Sequence, residues 1–246
     1  GILRRITIPP DHGIFPIDTN HYPPLRFLNK RQRRLGEQRR MGLSKLLSGA
    51  IMSLGGAGIA FVLTATGAAL AGSIGTGGLT SQPIGHYEFC RANPAECSIA
   101  GSDEGPLVLT KTLWAKISKV NIAVNSAIRP MSDKDIFGKD EVWAYPTSGV
   151  GDCEDYVLEK RRRLFKGGIP LSDLLITVVR KRDGEGHAVL TVRTDKGDYI
   201  LDNLSDTVKA WEQTGYRFLK RQASTHTGRW VSLRDDNTMM VGSVRN

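Results

Sequence analysis

Apolar residues recur at three- and four-residue steps through Leu113, Ile117, Val120, Val124 and Ile128. That spacing predicts an amphipathic helix over 111–128, ended by Pro130. Residues 152–165 predict a second helix, with Cys153, Val157 and Leu164 on one face and Asp152 at the N-cap. Gly167-Gly168 stops it. Between the two, Asp133 to Tyr145 reads as a polar loop carrying Trp143. After Gly168 the apolar period changes from helical to two. Leu174–Lys181, His187–Arg193 and Asp198–Asp202 predict strands, the last two joined by the turn Asp195-Lys196-Gly197. Ser205–Thr214 reads as a short helix around Val208 and Trp211, followed by strands over Tyr216–Arg221 and Arg229–Leu233. A helical half followed by an antiparallel sheet is an α+β arrangement, with helices packed on the sheet.

The first 71 residues break this pattern. Residues 1–40 hold Pro9, Pro10, Pro16, Pro23 and Pro24 and then the basic run Lys30 to Arg40, with no periodic apolar face. They read as a basic leader produced by an over-extended start, Met41 being the true first residue; a basic cytoplasmic arm is the alternative. Residues 46–71 carry no charge, follow Lys45 and end in Ala69-Leu70-Ala71, so 41–71 has the form of a signal peptide. Uncleaved, the stretch is long enough for an inner-membrane anchor. Either way the remainder is expected to be periplasmic or secreted. Residues 72–110 read as mostly irregular, 111–235 as the catalytic domain and 236–246 as a polar tail.

The formal net charge of +9 invites a nucleic-acid partner. Residues 1–71, however, carry 10 Lys and Arg against 3 Asp and Glu, while 72–246 carry 24 against 22. A basic groove belongs in the folded part, so no nucleic-acid partner is expected.

There are three cysteines. Cys90 and Cys97 flank Asn93-Pro94, and outside the cytoplasm they are expected to form a disulfide. A zinc site is the alternative, but with only His86 nearby it lacks ligands. Cys153 is left over, within Gly151-Asp152-Cys153-Glu154-Asp155-Tyr156. The helix start favours a thiolate through its free N–H groups and dipole. The three carboxylates oppose it, and a bound cation would relieve that conflict.

A cysteine nucleophile needs a base and a group that orients the base. His187 opens a strand just after Gly184-Glu185-Gly186, and Asp202 ends the next strand. With Asp195-Lys196 as a two-residue loop, the pair falls on one face, a diagonal step apart. Singly, His187 is an ordinary strand-edge histidine and Asp202 a turn residue. Together with a helix-start cysteine they form a candidate Cys-His-Asp set.

These residues resemble the bacterial transglutaminase-like cysteine peptidases, the group of LapG-type periplasmic proteases. The likeness runs from about Phe89 to Leu233. It includes Gly151 to Tyr156, Gly186-His187-Ala188, Leu201-Asp202-Asn203, Val120-Asn121, Val124-Asn125, Trp143 before Tyr145-Pro146, and Trp211 with Gly215-Tyr216. The resemblance implies a papain-like, transglutaminase-type core. It makes Cys153 the nucleophile, His187 the general base and acid, and Asp202 the residue that orients His187. It also implies calcium as cofactor, with Asp152, Glu154 and Asp155 as ligands. The partners it implies are a protein substrate such as a surface adhesin, and an inner-membrane receptor that sequesters the protease.

The expected activity is hydrolysis of a peptide bond through a thioester acyl-enzyme. The Cys153 backbone N–H is one oxyanion donor, the second being unassigned. Trp143 belongs to the acyl pocket or, more simply, to the core. Three other readings stand beside this one: transfer of the acyl group to an amine, a non-catalytic calcium-dependent binding module, and a structural protein anchored by Leu46 to Ala71.

Overall fold

The structure, a computed structural model, describes residues 72–234. The leader, the signal-peptide or anchor segment and the polar tail from 236 lie outside them. Among the described residues no helix is long and apolar enough to cross a membrane.

Seven strands form one open antiparallel sheet. They are β1 (Gly75–Thr80), β4 (Leu174–Arg180), β5 (Gly186–Thr194), β6 (Gly197–Asp202), β7 (Ser205–Ala210), β8 (Arg217–Ala223) and β9 (His226–Arg234), in the order β1-β9-β8-β4-β5-β6-β7. Helices α3 (Lys111–Ala127) and α5 (Cys153–Lys166) cover one face. Alternation divides the sheet cleanly. Ala188, Leu190, Val192 and Leu201 join Ile117, Val157, Leu158 and Leu164 in the main core. Val189 and Ile200 turn the other way and pack with Ile74, Val179 and Phe218. The fold is α+β, helices on an antiparallel sheet, as the change of period predicts.

Three segments differ from the sequence expectation. Residues 72–110 are not mostly irregular: they carry β1 and the helices α1 (Ile84–Ala92) and α2 (Pro94–Cys97). Because β1 pairs with β9, the sheet begins well before residue 111. Asp133–Phe137 forms a short helix, α4, capped by the Ser132 hydroxyl, where a loop was expected. Ser205–Ala210 is an edge strand followed by a 3-10 turn over Trp211–Gln213, not a helix. Only Val208 of β7 is buried, so the strand shows almost no apolar alternation to read.

Cys90 and Cys97 are joined as a disulfide across Asn93-Pro94. Such a short loop contributes roughly 2–3 kcal/mol in the chain-entropy model. His86 lies 3.5 Å from the Cys90 sulfur, yet the cluster is not a metal centre in this form, since the disulfide uses both thiols.

His86 instead pins the core. It is buried edge-on between Trp143 and Trp230, at 5.3 and 5.2 Å between ring centroids. The Trp230 Nε1–H donates to its Nδ1 at 3.2 Å. Trp143 is thus a core residue. Burial, and then the Arg161 charge, lower the His86 pKa to about 4. A base with a depressed folded pKa stabilises fully above its unfolded value, near 6.5, and loses that stability as pH falls toward 4. The loss over this window is about 3 kcal/mol. Urea denaturation at pH 7 and pH 4.5 should show a His86→Asn variant, already weaker at pH 7, losing much less than the parent. Equal losses in the two proteins would remove His86 as the source.

Candidate active site

A short parallel pair positions the helix that carries the cysteine. β2 (Arg129–Pro130), directly after α3, pairs with β3 (Val150–Gly151), directly before α5. The Tyr156 hydroxyl ties α5 to the end of α3 by donating to the Ile128 carbonyl at 2.6 Å. Gly151 is small for a reason: a Cβ there would lie 2.6 Å from Asp155 Oδ2. The chain therefore turns from β3 into Cys153, the first residue of α5, with Asp155 folded back on the turn. Asp152 holds the N-cap position, but its side chain makes no capping bond.

The hairpin β5–β6 supplies the other two residues. Leu190 pairs with Leu201 and Thr194 with Gly197, so the loop is Asp195-Lys196. This register sets Asp202 opposite Val189, one diagonal step from His187 on the same face. His187 Nε2 and Asp202 Oδ1 are hydrogen-bonded at 2.9 Å, with side chains 4% and 8% exposed. Burial pushes the Asp202 carboxyl up. Hydrogen bonds from His187, Tyr216 and the Leu204 N–H outweigh burial and hold it below the usual range. The Tyr216 hydroxyl donates to Asp202 Oδ2 at 2.6 Å.

The Cys153 sulfur touches both parts of the site. Its thiol donates to Glu154 Oε2 at 3.1 Å. A hydrogen bond from the backbone N–H of Ala188, the residue after His187, favours the thiolate. Burial, then the Glu154 charge, push the thiol pKa well above its ordinary value. No hydrogen bond joins Cys153 to His187 among the described residues. The sulfur thus rests on the strand that bears the histidine, in its protonated form.

The acidic residues divide in two. Carboxylate oxygens of Asp133, Asp152 and Asp155 lie within 4.8 Å of one another. Glu154, expected among the ligands, lies outside that set: it accepts from the thiol and pairs with Asp152. Asp133 was not expected. It comes from α4, 19 positions before Asp152, and the β2–β3 pairing helps bring it here. The sequence signal for it was slight: Ser132-Asp133-Lys134-Asp135 has the form of a helix cap. Asp133 accepts from the Val142 N–H and Asp155 from the Ala144 N–H. Asp133 Oδ1 and Asp152 Oδ1 are buried with no hydrogen-bond partner. Burial raises all three carboxyls, Asp155 to about 7. Glu154 is pushed to about 9 by burial and then by the Asp152 charge. A converging set of hard oxygens, two of them orphaned, suits a calcium ion.

Comparison with known proteins places the chain. Residues 76–238 match the family model of the bacterial transglutaminase-like cysteine proteinases. Among solved structures, Legionella pneumophila LapG is similar, at 23% identity and a TM-score of 0.43, covering 52% of this chain and 74% of that one. Its calcium-bound form is 26% identical with a TM-score of 0.42, covering 48% and 68%. A search of curated proteins gave no match. The family match spans the sheet, α5 and the β5–β6 hairpin. The chain belongs to the bacterial transglutaminase-like cysteine proteinases and is a cysteine peptidase of that kind.

Proposed function

We propose that this peptidase hydrolyses a peptide bond of an exported protein, using Cys153 as nucleophile, His187 as general base and acid, and Asp202 to orient His187. The observation that carries the reading is the buried 2.9 Å His187–Asp202 bond, on a strand whose next N–H meets the Cys153 sulfur. Asp202 is an ionised acceptor, so His187 Nε2 carries the proton and Nδ1 keeps its lone pair. The thiol leaves Glu154 and gives its proton to Nδ1 as the sulfur attacks the carbonyl carbon. The Cys153 backbone N–H, at the head of α5, donates to the oxyanion. Collapse of the tetrahedral adduct breaks the C–N bond, and the imidazolium returns the proton to the leaving amine. Water, deprotonated by His187, then hydrolyses the thioester.

Calcium belongs to the same proposal. Asp133, Asp152 and Asp155 would hold it, and its charge would offset the carboxylate field beside the cysteine. Export to the periplasm, a surface adhesin as substrate and an inner-membrane receptor as regulator follow from the family resemblance and the apolar segment 46–71.

The test is incubation of the full chain with candidate exported proteins in the presence of a labelled primary amine. Free carboxyl termini at new chain ends are the expected product. Amine-labelled or cross-linked product in place of cleavage would overturn hydrolysis in favour of acyl transfer.

A further inference from the structure

Tyr216 has no part in the steps above, yet it touches both members of the buried pair. Asp202 Oδ1 accepts from His187 Nε2 at 2.9 Å and from the Leu204 N–H at 3.0 Å. Asp202 Oδ2 accepts from the Tyr216 hydroxyl at 2.6 Å. The Tyr216 ring stands edge-on to His187, 5.6 Å between centroids and 71° between planes.

The chain is shaped to deliver this side chain. Trp211 Nε1–H donates to the Gly72 carbonyl at 3.0 Å, and the Thr214 hydroxyl donates to the Trp211 carbonyl at 2.7 Å. Gly215 then takes φ +70°, and a Cβ there would lie 2.5 Å from the Arg182 guanidinium. Glycine is suited to that conformation, and the next residue is Tyr216, just ahead of β8.

A carboxylate turns about its last bond unless both oxygens are held. His187 and the Leu204 N–H share Oδ1, which leaves Oδ2 to a single side chain. We propose that Tyr216 is a positioning residue: its hydroxyl locks the Asp202 carboxylate so that Oδ1 stays on His187 Nε2 and the imidazole lone pair stays on Nδ1. Burial, then the Asp202 hydrogen bond, raise the phenol far above its ordinary value. It therefore stays a donor at neutral pH. The edge contact with His187 adds a wall that limits tilt of the imidazole. This inference rests on the Cys-His-Asp proposal.

Tyr216→Phe keeps the ring and removes the hydroxyl. Two readouts need no substrate. One is the nitrogen-15 shift of His187 Nε2, correlated through the ring carbon protons, with Asp202→Asn as reference. The other is the rate of Cys153 alkylation by iodoacetamide near neutral pH. The expected result is a moved Nε2 resonance and roughly tenfold slower alkylation, the scale of one hydrogen bond to a charged group. A stabilising role alone would lower the melting temperature and leave the resonance in place. If Asp202→Asn shifts the resonance and Tyr216→Phe does not, the positioning role is wrong and the triad stands. If Asp202→Asn leaves it unmoved as well, the triad proposal fails and this inference goes with it.

Discussion

Cys153→Ala is expected to abolish proteolysis, by roughly 10⁴-fold or more, with no loss of fold. The two halves of that expectation have separate causes. On the proposed mechanism, loss of the sulfur removes the atom that would bond to the acyl carbon. The fold survives because Cys153 opens α5 rather than sitting within it. The side chain only borders the main core, while Val157, Leu158 and Leu164 of the same helix fill it. The substitution also frees the Glu154 carboxyl from the thiol. That leaves a buried acceptor without its donor, so the melting temperature is expected to stay the same or fall slightly. Cleavage of a candidate substrate by the full-length Ala variant, at more than a trace of the parent rate, would reject Cys153 as nucleophile. His187→Gln should be equally inactive, because the thiol would then have no acceptor for its proton.

Much of this arrangement was legible in the sequence, for a physical reason. The stretch from Gly186 to Asp202 holds two β-rich runs around Asp195-Lys196, which fits a two-residue loop, so the turn fixes the register. The relation between His187 and Asp202 follows from that register alone. The head of α5 was legible because capping, apolar period and the Gly167-Gly168 stop agree. What escaped depends on contacts distant in sequence. β1 reads Gly-Thr-Gly-Gly-Leu-Thr, with no apolar alternation, and is specified mainly by its partner β9. β7 was taken for a helix around Val208 and Trp211, while in the edge strand only Val208 is buried. Asp133 was invisible as a companion of Asp152 because a two-residue parallel bridge helps make the connection. His86 looked peripheral by position, yet it lies between two tryptophans 57 and 144 residues further along. Tyr216 was noticed only as part of a motif. Its bond to Asp202 depends on the turn at Gly215.

Calcium is expected to raise the melting temperature by about 5 °C or more at saturating concentration, and a chelator to reverse it. The cause is the cost of keeping Asp133, Asp152 and Asp155 together when ionised. All three are raised by burial, Asp155 to about 7. A carboxyl raised in the folded state stabilises fully only below its unfolded value, near 4, and loses that stability as pH rises through its folded value. The calcium-free protein therefore carries a growing penalty from pH 4 to about 7, where Asp155 releases its proton. An ion removes that penalty by taking the place of the protons. The stabilisation by calcium should accordingly be small at pH 5, where protons compete, and large at pH 8. His86 acts in the opposite sense across part of this window, so calcium and chelator must be compared at each pH rather than along the pH axis. Scanning calorimetry at pH 5, 6.5 and 8 makes the comparison. Asp133→Asn serves as the critical variant, since it removes one charge from the group without touching the residues beside Cys153. It is expected to raise the calcium-free stability at pH 8 and to abolish most of the response to calcium. An unchanged response in that variant would mean that the ion binds elsewhere. Equal melting temperatures with calcium and with chelator at pH 8 would mean that the acidic group serves no ion at all, and that the cysteine works against its carboxylate neighbours unaided.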